Sequence, residues 1–277
     1  MVILAPSAGY CLFGEEGTLD VAAGDIAARI EALDLSLFDA TPSQSSDGDR
    51  RAWLAVQRSL RRQDEYVYLE IGSHLGGSIQ QHLADPRCRT IVSIDKRPLS
   101  QPDDRGEAFF YEGNSTAQML DHLRRVSPYR LDKLACFDTD ASEFDVGSLP
   151  AAPDYCFIDG EHTYAAVLSD FAFCLRVCAP NAAICFHDDA IIYLALREIM
   201  SDLRRRGIPY TAHKLTGSTF GIFLRECPAI RDPYVSTRSQ DAGWWLLRRR
   251  FRSLLPAPLV PIARWAVGAV AHGRRPN

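Results

Sequence analysis

Residues 154–190 read DYCFIDGEHTYAAVLSDFAFCLRVCAPNAAICFHDDA, and the hydrophobic period changes twice along them. Tyr155–Asp159 (YCFID) is a short apolar run of strand length. Leu168, Phe171, Leu175 and Cys178 then fall at i, i+3, i+7 and i+10, the spacing of one helix face. Ala182–His187 (AAICFH) is a second apolar run. Strand, helix and strand in that order predict a parallel βαβ unit, and runs apolar throughout predict strands covered on both faces.

The same alternation extends both ways. Upstream, Tyr66–Ile71 (YVYLEI) reads as a strand, Gly77–Leu83 as the opening of a helix, and Ile91–Asp95 (IVSID) as a second strand. Ala108–Glu112 (AFFYE) reads as a third strand, with a helix near Thr116–Arg125. Residues 126–153 are too long for a simple connection and read as an insertion, with one strand around Leu134–Phe137. Downstream, Ile192, Leu196, Ile199 and Leu203 mark a helix. Tyr210–Leu215 and Thr219–Arg225 flank Thr216-Gly217-Ser218 as an antiparallel hairpin. The fold class expected is α/β: a doubly wound, mostly parallel sheet with an antiparallel C-terminal hairpin. Residues 41–49 (TPSQSSDGD) read as a loop and Trp53, Val56 and Leu60 as a short amphipathic helix. The division expected is residues 1–50 of uncertain structure, a domain over 51–230, and a tail over 231–277.

The chain has 277 residues, 47% hydrophobic and 24% charged, enough for one sizeable core. Its eight cysteines form no CxxC pair, and several sit inside apolar runs, as in Ala183-Ile184-Cys185-Phe186. That favours buried thiols in a reducing, cytoplasmic setting over a disulfide framework. The net charge of −4 hides an asymmetry. Residues 243–277 hold seven arginines and no acid, leaving 24 basic and 35 acidic residues, or −11, in the rest. An acidic body argues against a nucleic-acid enzyme, which needs a positive footprint.

Ligands of open α/β sheets bind beyond the carboxyl ends of the strands. Here those ends carry Glu70, Asp95, Glu112, Asp159 and His187-Asp188-Asp189. After the first strand comes Glu70-Ile71-Gly72-Ser73-His74-Leu75-Gly76-Gly77-Ser78, a glycine-rich turn into a helix. His74 stands where a dinucleotide fingerprint has its second glycine, which weakens a pyrophosphate site. Asp95, some twenty residues on, is placed to accept both hydroxyls of a ribose.

The form E-I-G-x-x-x-G-G-S resembles motif I of class I S-adenosylmethionine-dependent methyltransferases. Residues 157–170 and 184–188 resemble F-I-D-G-x-H-x-Y-x-x-V-x-x-D followed by an apolar residue and His-Asp. That pattern belongs to metal-assisted O-methyltransferase-like families, among them macrolide-sugar and aminocoumarin O-methyltransferases and cephalosporin-hydroxylase-like proteins. The resemblance spans about residues 53–226. One departure is Ala179-Pro180-Asn181 in place of a Pro-Gly-Gly turn; asparagine tolerates the left-handed conformation such a turn uses.

The resemblance implies S-adenosylmethionine as cofactor, with Glu70, Gly72, Ser73 and Ser78 at its methionine end and Asp95 on its ribose. Asn114 and Ser115 are candidates for the adenine side. It implies a divalent metal, Mg²⁺ or Mn²⁺, on Asp159 and Asp188, with His187 and Asp189 as further ligands. His187 replaces a carboxylate of the family's acidic pair, which moves the preference toward transition metals. His162 matches the family's general base, beside Asp159; an imidazole suits removal of a hydroxyl proton. The acceptor implied is a hydroxyl on a small molecule or sugar. Two rival readings stay open: a mononuclear non-haem iron hydroxylase built on His162, His187 and an aspartate, and a non-catalytic nucleoside-binding or membrane-associated module.

The tail lies outside the resemblance. Trp244, Leu247, Phe251, Leu254 and Leu255 share one helical face, while Arg249, Arg250 and Arg252 lie elsewhere and Arg248 borders it. Such a helix suits an anionic membrane surface or docks on the protein's own body or on a second subunit. Pro256, Pro258, Pro261 and Arg264 argue against a spanning helix. The location expected is cytoplasmic, with the inner face of the membrane as the alternative.

Overall fold

Strand alternation is observed where the apolar runs predict it. The computed structural model describes residues 2–3, 25–60, 65–106, 108–127 and 130–254. In chain order the elements are β1 (Val2–Ile3), α1 (Asp47–Ser59), β2 (Tyr66–Ile71), α2 (Gln80–Ala84), β3 (Cys88–Ile94), β4 (Ser100–Pro102) and β5 (Ala108–Phe110). Next come α3 (Thr116–Leu123), β6 (Leu134–Phe137), β7 (Tyr155–Ile158), α4 (Tyr164–Val177), β8 (Ala183–Phe186) and α5 (Tyr193–Arg205). The chain continues with β9 (Tyr210–Lys214), β10 (Phe220–Leu224), α6 (Pro233–Arg238) and, in a second compact unit beginning at Gln240, α7 (Ala242–Leu254).

In the first unit the sheet runs β1-β6-β3-β2-β7-β8-β10-β9. The five strands from β6 to β8 are mutually parallel. The hairpin β9–β10 adds antiparallel at β8, and β1 adds antiparallel at β6. This is the doubly wound, mostly parallel α/β topology expected, with antiparallel strands at its C-terminal side. Chain order reverses between β2 and β7, the switch point where such sheets bind ligands. β2, β7 and β8 are buried along their whole length, as continuous apolar strands require.

Several expectations are corrected. Residues 108–110 do not join the main sheet; they pair with β4 in a separate two-stranded ribbon and are exposed. The place of a third strand is filled by Leu134–Phe137, parallel to β3. Residues 126–153 are therefore part of the domain's sheet rather than an insertion. The loop over 41–49 ends early, because Ser46 caps α1 in a reciprocal capping box with Asp49. The buried face of α4 is Val167, Asp170, Phe171, Cys174 and Val177, one residue out of phase with the apolar spacing. α2 starts at Gln80, because residues 74–79 are spent on turns. Asn181 is not left-handed; its turn closes with the Ala182 amide donating to the Ala179 carbonyl at 3.1 Å. The described cysteines are free and all but Cys178 are buried; Cys11 lies outside the described residues.

One residue ties the N-terminal helix to the sheet. Trp53 is buried on α1, its ring 4.9 Å from Phe157 and 6.0 Å from Phe38, and its indole N–H donates to Thr219 Oγ1 at 3.0 Å. Trp53→Ala leaves a cavity and removes one of the two hydrogen bonds of the Thr219 hydroxyl, and should cost about 3–5 kcal/mol in a denaturant titration.

Candidate active site

The glycine-rich turn is set by crowding at the switch point. A Cβ on Gly72 would overlap the Asp159 carbonyl across the β2–β7 gap, and Gly72 has φ +88°. His74 is also left-handed at φ +44°, and its amide donates to Asp95 Oδ2 at 2.9 Å. The Arg97 amide donates to Asp95 Oδ1 at 2.7 Å. Asp95 is thus fixed at the end of β3 by two backbone amides and by the Arg97 guanidinium, 3.4 Å from Oδ2, which leaves Oδ1 the less engaged oxygen.

Glu70 lies beneath this turn. Its Oε1 accepts from the Ser78 hydroxyl and its Oε2 from the Tyr68 hydroxyl at 3.1 Å. Burial pushes the carboxyl up to about 8, against those two hydrogen bonds and with help from Asp159 and Asp95. Glu70 is therefore largely protonated at neutral pH. Ser73 Oγ accepts from Ser93 Oγ at 2.8 Å.

The ends of β7 and β8 bring two acids and two imidazoles together. Asp159 Oδ1 is 3.3 Å from His187 Nδ1 and 3.4 Å from His162 Nε2. Asp188, left-handed at φ +51°, has Oδ2 at 3.7 Å from His162 Nε2 and 3.9 Å from His187 Nδ1. The far nitrogen of His187 is 3.0 Å from Ser218 Oγ and 3.7 Å from Asp49 Oδ2. Burial disfavours charge on His187, but Asp159, Asp49 and Asp188 overcome it and hold the imidazole up to about 11. Burial likewise opposes ionisation of Asp159, yet His187 and His162 hold it down to about 2. His162 is raised: burial works against its charge, and Asp159 and Asp188 outweigh burial. His162 Nε2 is buried and makes no hydrogen bond. Asp189 turns away, 3.7 Å from Lys214 Nζ.

The metal set expected from the sequence is not assembled. Among the described residues no group of three or more His, Cys, Asp or Glu side chains is placed to hold a metal ion. The physical reason is that the acids and imidazoles face one another as ion pairs, with Asp159 Oδ1 between both rings and His187 anchored on its other side by Ser218.

Gly72 lines two cavities. One, of about 430 Å³, is lined by Gly72, Ser73, Ser78, Asp159, His162, His187 and Asp188, and walled by residues 42–46 with Gly217 and Ser218. The other, of about 280 Å³, is lined by Gly72, Asp95, Lys96, Asp140, Ala141 and Asp170 among others. Glu70 lines neither cavity, and nor do Asn114 and Ser115. Asn114 Nδ2 donates to the Pro98 carbonyl at 3.0 Å, and Ser115 caps α3.

Three features of the site escaped the sequence reading. Residues 139–142 line the smaller cavity just past β6; Asp138 and Asp140 there repeat the signal of acids after a strand. Asp49, buried beside His187, is the acidic partner in a Ser-x-x-Asp capping box. Tyr111 lines the larger cavity from the ribbon's end; nothing in its local sequence marks it.

Residues 69–188 match the family described as a methyltransferase domain. An uncharacterized protein of Acanthamoeba polyphaga mimivirus is 25% identical over 126 residues, 45% of this chain and 52% of that protein. The chain thus spans about half the length of the curated relative it matches. Similar solved structures include a calicheamicin methyltransferase (TM-score 0.48, 13% identity, 79% of this chain and 99% of that one). Another is the Bacillus cereus O-methyltransferase in complex with S-adenosylhomocysteine (TM-score 0.47, 13% identity, 77% and 93%). These structural likenesses are of fold.

Asp170 in the smaller cavity offers a test of the geometry. Burial, with Asp140 adding repulsion, pushes its carboxyl up to about 7. The unfolded chain loses that proton near pH 4, so between pH 4 and 7 the native state binds more protons and stability falls as pH rises. Asp170→Asn removes this cost. It should stabilise the protein by on the order of 1–3 kcal/mol at pH 8, with the gain fading toward pH 4; thermal melts across that range check it.

Proposed function

We propose that the methyltransferase domain of residues 69–188 uses S-adenosylmethionine to methylate a hydroxyl on a small molecule or sugar. The observation carrying this reading is a pair of neighbouring cavities: one holds Asp95 and Asp140, the other Asp159 and His162, and Gly72 lines both. The smaller cavity suits an adenosine: the Asp95 carboxylate lines it and accepts from ribose hydroxyls, and residues 139–142 take the adenine side in place of Asn114 and Ser115. Gly72, Ser73 and Ser78 then flank the methionine end.

When bound, S-adenosylmethionine supplies an electrophilic methyl carbon that passes to the acceptor oxygen as the carbon–sulfur bond breaks onto sulfur. His162, buried with its Nε2 facing Asp159 Oδ1 at 3.4 Å and Asp188 Oδ2 at 3.7 Å, is the base for the acceptor's hydroxyl proton. Asp159 orients that ring and stabilises it once protonated. His187, kept charged between Asp159 and Asp49, fixes Asp159 in place. Ser43, Gln44, Ser45 and Ser218 in the cavity wall supply hydrogen-bonding groups for a hydroxylated acceptor. The residues as arranged do not fit a resident metal, so no step is assigned to one.

Calorimetric titration with S-adenosylmethionine and S-adenosylhomocysteine should give micromolar binding, weakened roughly tenfold or more by Asp95→Asn. No binding by folded protein would end the methyltransferase reading. With an acceptor in hand, His162→Ala should lower kcat by about 10²–10⁴-fold with cofactor affinity kept. Transfer should survive EDTA; a loss that Mg²⁺ or Mn²⁺ restores would return the ion to the reaction.

A further inference from the structure

We infer that α7 is an anionic-membrane-surface helix, which anchors the chain peripherally through Trp244 and Leu247 with flanking arginines. Trp244 and Leu247 lie one helical turn apart and stay 45% and 43% exposed. Trp245, the next residue, is buried at 8% exposure. The exposed pair shares one stripe of the helix, and the sequence continues its spacing at Phe251 and Leu254.

A cation borders that face: the Arg248 guanidinium lies over the exposed Trp244 ring at 5.9 Å. An arginine stacked on an interfacial tryptophan keeps its charge at headgroup depth while the ring enters the acyl boundary. The charge is one-sided over the whole segment: residues 243–277 have seven arginines and no acid. Among the described residues no helix is long and apolar enough to cross a membrane, so the contact is with the surface.

Charge and apolarity together select the occupant. A nucleic-acid strand would use the arginines but gains little from a tryptophan–leucine face without a groove to track the backbone. A second copy meeting tail to tail would cover the apolar pair but bring seven more arginines against the first seven, and docking on a second copy's acidic body is the outcome that the dimer test below reads. An anionic bilayer satisfies both at once, because each arginine near the surface is attracted and the apolar pair enters the interface.

The full chain should co-sediment with vesicles of phosphatidylcholine mixed with phosphatidylglycerol, and at least tenfold less with phosphatidylcholine alone. Trp244→Ser combined with Leu247→Ser should abolish sedimentation. Arg248→Gln with Arg249→Gln should weaken it roughly tenfold or more and flatten its salt dependence. Circular dichroism and S-adenosylhomocysteine binding report whether each variant is folded. Binding to neither vesicle, equal binding to both, or tighter binding to single-stranded DNA overturns the inference. So does a concentration-dependent dimer that the serine pair dissociates. None of these outcomes touches the methyltransferase reading, which rests on the other unit.

Discussion

The close approach of β2 and β7 at Gly72 is the constraint on which the rest of the site depends. The two strands stay paired to their carboxyl ends, where the Asp159 amide donates to the Ile71 carbonyl at 2.9 Å, and the Asp159 carbonyl fills the space a side chain at residue 72 would need. Only glycine fits there, and its φ of +88° turns the chain toward β3. The turn then presents the His74 amide to Asp95, so one backbone bend fixes the acid proposed to hold the ribose. Gly72 lines both cavities.

A second constraint is electrostatic. His187 is an imidazolium between Asp159 and Asp49, and Asp49 also accepts from the Ser218 amide at 2.6 Å and from Thr219 Oγ1 at 2.9 Å. The acid that completes the α1 capping box is therefore also the bolt between that helix, the β9–β10 turn and the site. Removing either partner of such a buried pair leaves an uncompensated charge, a loss of about 3–5 kcal/mol. Correct folding of residues 41–49 and correct placement of Asp159 are one event.

The parallel strands were legible because burial on both faces imposes an unbroken apolar run: YVYLEI, IVSID, YCFID and AAICFH each became a strand. AFFYE carries the same apolar signal for another reason, as an exposed ribbon whose residues are held by β4 and not by a core. Periodicity reads apolarity, not what covers it. LACF was legible only weakly, since four residues give little pattern, and with it the acids of residues 138–140 went unread. The meeting of Asp159, His162, His187 and Asp188 followed from motif order along adjacent strands. Their pairing with one another did not, because a list of donors does not say whether they converge on an ion or on each other. Asp49 lay beyond reach for a similar reason: its partners are 138 and 169 residues away.

The acidic strand ends that first marked this edge do not act as one negative surface. Glu70 and Asp170 are buried without a cation, so their carboxyls rise to about 8 and about 7. Asp159 and Asp49 are buried against a shared imidazolium, so theirs fall below the ordinary range. Identical chemistry is thus split by environment into neutral acids under the floor and in the smaller cavity, and ionised acids beside the larger one. In the proposed reaction the ionised Asp159 would sit beside a sulfonium that loses its charge on methyl transfer, and His187, held between Asp159 and Asp49, would limit how strongly that pair retains the cation.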